Sequence, residues 1–357
     1  MNSLVRFLVC RSLNTLLKFV IAVIWCSGYL SFTAFFVGWV WRFVESTQGP
    51  TRRSSGTRPE AGEPLSFNVS RHMNDIFKFT NHVILSIALM LAIPSNSSAE
   101  CLPDSVVPIQ VREARIVALG EMHGTMEAQK FTGDLLCSLA SHGRSIILGL
   151  EIPSSEQPQI DAYVAGGAED NFLNSMASSP FWNQKFQNGL ASSAMADLIK
   201  KVRALRAEGM RVRINAIDRK PKWYELWVTR DEIMAQNIQG VLIADPSASI
   251  LFLAGNAHTK KTVGSPFNAS YKSAIHLIRE KNLVTLLMQY TDGTAWYCFK
   301  GESICRPKTQ KSYLRVTQTP KIIELVPSLL PDYDGYFFVG AITASPPAVD
   351  RLLRNDG

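Results

Sequence analysis

The sequence predicts an α/β fold beyond about residue 100: a mixed, largely parallel sheet flanked by helices in a single domain. Two observations predict it. Short apolar runs alternate with amphipathic stretches of helical spacing from Arg112 onward. Four of those runs end directly on Gly, Glu or Asp, as strands do when they deliver polar groups to the carboxyl edge of an open sheet.

The elements follow in order. Ile116–Leu119 is a short buried strand, Met126–Ser141 a helix closed by His142-Gly143, and Ser145–Leu150 a second strand. Ala194–Glu208 is the clearest helix. Met195, Leu198, Ile199, Val202 and Leu205 share a face behind the cap candidates Ser192 and Ser193, and Gly209 stops it. Val212–Ile217 is a third strand and Ile250–Leu253 a fourth. Between them, the spacing of Trp223, Trp227, Met234, Ile238 and Val241 predicts a helix over Trp223–Val241. Leu283–Gln289, Ala295–Phe299 and Tyr336–Val339 read as later strands, with a hairpin turning over Asp292-Gly293.

The net charge of +7 divides unevenly along the 357 residues. Residues 1–99 hold nine Lys/Arg against four Asp/Glu, whereas the remainder holds 28 against 26. A nucleic-acid-binding domain concentrates its positive charge on its own folded surface, so the domain is not expected to bind one. The excess instead flanks two apolar stretches. Phe19–Trp41 runs 23 residues without a charge, between Lys18 and Arg42, and is long enough to span a bilayer. Val83–Ile93 has only 11 residues and is followed by Ser97-Ser98-Ala99, the pattern of a cleavable secretory signal.

The expected organisation is therefore threefold: a span-like leader and Gly/Pro/Ser-rich linker over 1–72, a signal-like segment over 73–99, and an exported domain over 100–357. Met73 begins a plausible signal peptide, which makes 1–72 an over-extended gene start. The alternative is a genuine two-segment anchor. Both place the domain in the periplasm or cell envelope. Membrane association arises only through the N-terminal segment, if it is retained.

The domain holds four cysteines, Cys101, Cys137, Cys298 and Cys305, an even number that an oxidising compartment would pair. Three pairings are open; the favoured one joins Cys298 to Cys305 across a short loop and Cys101 to Cys137.

The strand ends carry the candidate chemistry. Ile116–Leu119 runs into Gly120-Glu121-Met122-His123-Gly124, Ile146–Leu150 ends on Glu151, Val212–Ile217 on Asp218, and Ile250–Ala254 runs into Gly255-Asn256-Ala257-His258. Glu121 and His123 are two apart, so in extended chain they point the same way. The glycines at 120, 124 and 255 permit tight turns and close approach. Arg230, on the apolar stripe of the predicted helix, needs an anionic partner and is a sixth candidate. Asp231 and Asn237 are weaker candidates, expected to lie on the helix surface or to play supporting parts.

These motifs resemble a known superfamily. Leu119–Thr125 is similar to the Gly-Glu-x-His-Gly-Thr signature of the erythromycin esterase-like proteins, and Leu150-Glu151 to the end of their next strand. Arg230–Asn237 resembles their Arg-Asp-x-x-Met-Ala-x-Asn helix, and Gly255–His258 their second histidine motif. The same superfamily includes the haem-uptake ChaN-like lipoproteins and the Tiki metalloproteases. The resemblance covers roughly residues 112–345. Two departures stand out: the domain is shorter than the esterases, and Cys101 lacks a lipobox before it.

The resemblance implies an esterase-like hydrolase acting on a small molecule or peptide. In that reading His123 is the general base, Glu121 or Glu151 orients its ring, and Arg230 and His258 stabilise the oxyanion. No Gly-x-Ser-x-Gly elbow offers a serine nucleophile. Glu121, His123, Glu151 and His258 are also the residue types that would hold a divalent Mn, Fe or Zn ion. The rival class is a haem or iron binder, with Tyr224 and Tyr271 as available ligands.

Overall fold

A computed structural model describes residues 101–349, apart from 185, 300, 301, 303 and 314–321. The span-like Phe19–Trp41, the signal-like Val83–Ile93 and the linker between them lie outside the described residues. Among the described residues, no helix is long and apolar enough to cross a membrane.

Seven strands form the main sheet in the order β3-β2-β4-β1-β5-β9-β8. They are β1 (Ile116–Glu121), β2 (Ile146–Pro153), β3 (Val212–Asp218), β4 (Ser249–Gly255), β5 (Leu283–Gln289), β8 (Ile323–Leu325) and β9 (Gly335–Phe338). Every neighbouring pair is parallel except β8 with β9. The expected α/β class is therefore borne out. The central strands β1 and β4 are buried along their whole length, which is why their sequences read as unbroken apolar runs.

Side-chain alternation divides the core between the sheet's two faces. Val117 and Leu119 of β1 join the larger cluster with Leu135, Leu136, Leu198 and Val202. Ile116 and Ala118 join the other, with Met234, Ile238 and Ile275. The α-helices among the described residues are α1 (Ile109–Glu113), α2 (Glu127–Ser141), α3 (Gln157–Val164), α4 (Glu169–Ser178), α5 (Ser193–Ala207), α6 (Arg230–Ala244) and α7 (Ala274–Leu277), and α2, α5, α6 and α7 supply the helical residues just named. Ser192 caps α5 by accepting from Met195 N–H, as its sequence implied.

Two expectations need correction. The helix predicted over Trp223–Val241 begins only at Arg230, where Thr229 and Glu232 form a reciprocal capping box. Upstream, Glu225 accepts from the Lys222 backbone N–H and from both terminal nitrogens of Arg219, closing a turn where the helix was expected. Trp223 and Trp227 consequently stand 87% and 91% exposed instead of on a core-facing stripe. The hairpin over Asp292-Gly293 is also absent. β5 is already paired on both sides, by β1 and β9, so β6 (Gly293–Tyr297) has no edge of it to join. It pairs instead with β7 (Arg306–Gln310) in a separate antiparallel ribbon.

Both favoured disulfides are present. Cys298–Cys305 lies just beyond the Tyr297–Arg306 register of β6 and β7, with a Cα–Cα distance of 4.4 Å. Cys101–Cys137 ties the segment before α1 to α2 across 5.0 Å.

Candidate functional site

The parallel order places β2, β4 and β1 side by side, with β3 outside β2. Their carboxyl ends therefore lie along one edge. Glu121, His123, Glu151, Asp218, Arg230 and His258 all meet there.

His123 is held between two carboxylates. Its Nδ1 lies 3.0 Å from Glu121 Oε1, and its Nε2 lies 3.5 Å from Glu151 Oε2. Gln129, reaching down from α2, donates to the other Glu121 oxygen at 2.7 Å. The ring fits because residue 255 is glycine: a Cβ there would sit 2.7 Å from His123 Nε2. Gly124 closes the same loop at φ +78°, with its backbone against Trp296.

Glu151 is the shared centre. One oxygen accepts from Arg230 Nη2 at 2.7 Å and the other from the Gly255 backbone N–H at 2.8 Å. Arg230 also grips Asp218 through Nε at 2.8 Å and Nη2 at 2.6 Å, a forked charge-assisted contact. Arg230 stands at the first position of α6, so the late helix start aims it at this cluster.

His258 is suspended differently. Its Nδ1 lies 2.8 Å from Asp231 Oδ1, while Nε2 faces Arg230 Nη1 at 3.4 Å and Glu151 Oε1 at 3.7 Å. Asp231 is buried and accepts as well from the Ala274 N–H at 2.7 Å and the Tyr271 hydroxyl at 3.0 Å. Its place in the site exceeds the supporting part expected from sequence. Asn237 does support: it donates to the Ile217 carbonyl and ties α6 to β3. Gln129 gave no motif signal; only its position on the first turn of α2, eight residues after Glu121, brings it into reach.

These contacts set the charges. Burial opposes a charge on His123 and Arg230 adds to that, but Glu151 and Glu121 outweigh both and raise its pKa to about 9. His123 is thus an imidazolium at neutral pH. Burial likewise disfavours a Glu151 carboxylate, yet His123, His258, Arg230 and the Gly255 N–H together hold its pKa below the ordinary value. Burial and the Asp231 charge push the Tyr271 phenol up.

Residues 108–191, which include Glu121, His123 and Glu151, match the family model for haem-binding uptake, Tiki superfamily, ChaN. That match bears out the superfamily resemblance carried by the motifs. Among solved structures, a Bacillus cereus protein is similar at 14% identity, covering 68% of this chain and 91% of its own, with a TM-score of 0.45. An erythromycin esterase in its open conformation is similar at 12% identity, covering 68% and 93%, with a TM-score of 0.38. ChaN of Campylobacter jejuni, with cofacially bound haem, is similar at 16% identity, covering 50% and 83%, with a TM-score of 0.35. No curated protein matches the chain.

The donor set argues against a resident divalent ion. Each oxygen of Glu121, Glu151, Asp218 and Asp231 already faces an N–H or O–H group, and Arg230 supplies the central positive charge. An ion would have to displace that guanidinium. Among the described residues, no group of three or more His, Cys, Asp or Glu is placed to hold a metal. Tyr271 is equally ill-suited as a haem ligand, since a phenolate there would face Asp231.

Proposed function

We propose that the domain is an exported hydrolase of small-molecule or peptide substrates, esterase-like, with His258 as the base and His123 as a fixed cation. The observation that carries this reading is a difference between the two rings: His258 Nε2 lies 3.4 Å from the Arg230 guanidinium, whereas the His123 ring nitrogens face Glu121 and Glu151. With Nδ1–H donated to Asp231, His258 keeps a lone pair on Nε2 for a proton from water. Both nitrogens of His123 face carboxylates, so it has no lone pair to offer at neutral pH. This exchanges the roles that the motifs alone implied.

In the proposed reaction, water attacks the substrate carbonyl as His258 Nε2 takes its proton. Negative charge develops on the carbonyl oxygen beside the Arg230 guanidinium and the His123 imidazolium, which stabilise it. The carbon–oxygen or carbon–nitrogen bond then breaks, and the leaving group takes the proton back from His258. Two disulfides in the domain support folding in an oxidising compartment, hence export.

The test is turnover of a panel of model esters and amides by the full chain. Activity should survive a chelator, and Asp231→Asn should lower kcat about 10²-fold while melting stays unchanged. The haem-binding alternative is favoured by the description of the matching family. No turnover across the panel, together with a Soret band on mixing with haem, would replace the hydrolase reading with that one.

A further inference from the structure

The carboxyl edge carries a second feature that hydrolysis does not use. Two loops there hold large apolar side chains out in solvent. In residues 219–229, between β3 and α6, Trp223, Leu226 and Trp227 are 87%, 77% and 91% exposed. In residues 260–272, after β4, Phe267 is 98% exposed.

This exposure is built in. Arg219 and Glu225 brace the first loop with paired contacts of 2.5 and 2.8 Å that close the chain on either side of Trp223. In the second, the backbones of Ser265 and Asn268 bond to each other, so Pro266 and Phe267 form the tip of a tight turn. A ring lining a cleft loses much of its surface to the walls. These rings lose almost none, so they project away from the domain.

Charge identifies what they meet. The two segments contain six Lys/Arg, of which Arg219, Lys260 and Lys261 pair with Glu225, Asp332 and Asp334, leaving Lys220, Lys222 and Lys272 as the cations of this surface. The rest of the domain is nearly neutral. Lys222 Nζ lies 5.6 Å over the Tyr224 ring, so cation and aromatic occupy the same surface. Protein interfaces seat their aromatic anchors in shaped pockets and are poor in lysine. Tryptophan, phenylalanine and leucine protruding among lysines suit a fluid layer of anionic headgroups over hydrocarbon.

We propose that this edge docks on an anionic bilayer surface, with Trp223, Leu226, Trp227 and Phe267 entering the headgroup region and Lys220, Lys222 and Lys272 facing the lipid phosphates. The site would then open toward the membrane. The docking is independent of the hydrolase reading, because lipid contact and ester turnover are measured separately.

Hydrogen exchange of the full chain, with and without vesicles, tests it locally. Vesicles of phosphatidylglycerol and phosphatidylcholine should slow exchange of residues 219–229 and 260–272 roughly five-fold or more, while α2 is unchanged. Pure phosphatidylcholine should protect them far less. Trp223→Ala/Trp227→Ala and Lys220→Glu/Lys222→Glu should each remove most of the protection without altering the melting temperature. Attachment through the N-terminal segment alone would leave both loops exchanging as in solution, which would overturn the proposal. So would protection that rises with protein concentration in the absence of lipid, since that identifies a second copy of the chain as the occupant.

Discussion

His123 and His258 follow neighbouring parallel strands, and each lies three residues after a glycine, yet their surroundings differ in kind. The loop after β1 places His123 between Glu121 and Glu151, with a carboxylate for each ring nitrogen. The turn after β4 sets Asp231 at His258 Nδ1 and leaves Nε2 facing both the Arg230 cation at 3.4 Å and Glu151 at 3.7 Å. One sequence pattern thus yields a ring held between two carboxylates in one place and a ring beside a guanidinium in the other. The partner elements decide which: β2 brings Glu151 to the first ring, and α6 brings Asp231 and Arg230 to the second.

The strongest way to break this comparison is to remove each ring. His258→Ala should lower kcat by about 10²–10⁴-fold, the usual contribution of a general base. His123→Ala should cost less in rate and more in folding, because it strands Glu121 and Glu151 near each other without the intervening cation. Steady-state kinetics on a model ester, read beside thermal unfolding, separates the two. Equal rate losses with equal melting temperatures would mean that the rings are not differentiated.

Arg230 tests the shared support. Arg230→Met leaves Glu151 and Asp218 without their cation, and breaking a buried pair costs on the order of 3–5 kcal/mol. A third of the Arg230 side chain is exposed, so about 3 kcal/mol, the lower end, is expected. Denaturant unfolding measures it. Wild-type stability in the variant would show that water or a cation replaces the guanidinium there.

Glu151 sharpens the comparison through pH. Folding raises the His123 pKa from 6.5 to about 9, so its contribution to stability is complete below pH 6.5 and is lost as pH rises through 9. The Glu151 pKa is lowered by folding, so its contribution is present above the ordinary carboxylate range and lost on acidification. Glu151→Gln removes one of the two carboxylates that raise the pKa of His123. Its titration midpoint, followed by NMR of the ring protons, should fall from about 9 toward 6.5. A midpoint that stays near 9 would assign the imidazolium to Glu121 alone.

What the sequence reveals of this site follows from how each part is encoded. The strands β1, β2 and β4 are legible because burial on both faces demands continuous apolar runs, β3 through its alternation, and Glu121 and Asp218 terminate their strands while Glu151 lies two residues before the end of β2. Arg230 is legible as a cation needing a partner, but its direction depends on a helix start that Trp223 and Trp227 disguise by continuing the helical spacing. The spacing is accidental, since both rings face solvent. Asp231 looks like an ordinary first-turn acid; its burial depends on Tyr271 and Ala274, some 40 residues further on. The misread hairpin has the same origin. Whether β5 has a free edge depends on β9, which no local pattern encodes.

The smallest expected effect concerns the stapled ribbon, which touches only one side of the comparison. Trp296 in β6 donates its backbone N–H to the Gly124 carbonyl at 2.8 Å, immediately after His123. Gly124 can accept that contact because it has no Cβ, which would otherwise lie 2.1 Å from the Trp296 carbonyl oxygen. The Cys298–Cys305 bond holds β6 to β7 just beyond this point, whereas His258 is braced by Asp231 and Tyr271. Replacing both cysteines by serine frees a short loop and should cost roughly 2 kcal/mol on chain-entropy grounds. In a domain of this size that lowers the melting temperature by roughly 5 °C. The His123 ring resonances should shift or broaden in the variant, while those of His258 keep their positions. If both rings respond equally, the ribbon braces the whole edge and the two histidines are not mechanically separate. If neither responds, Gly124 is held by its other backbone partner, Ser345, whose N–H reaches the same carbonyl at 2.9 Å.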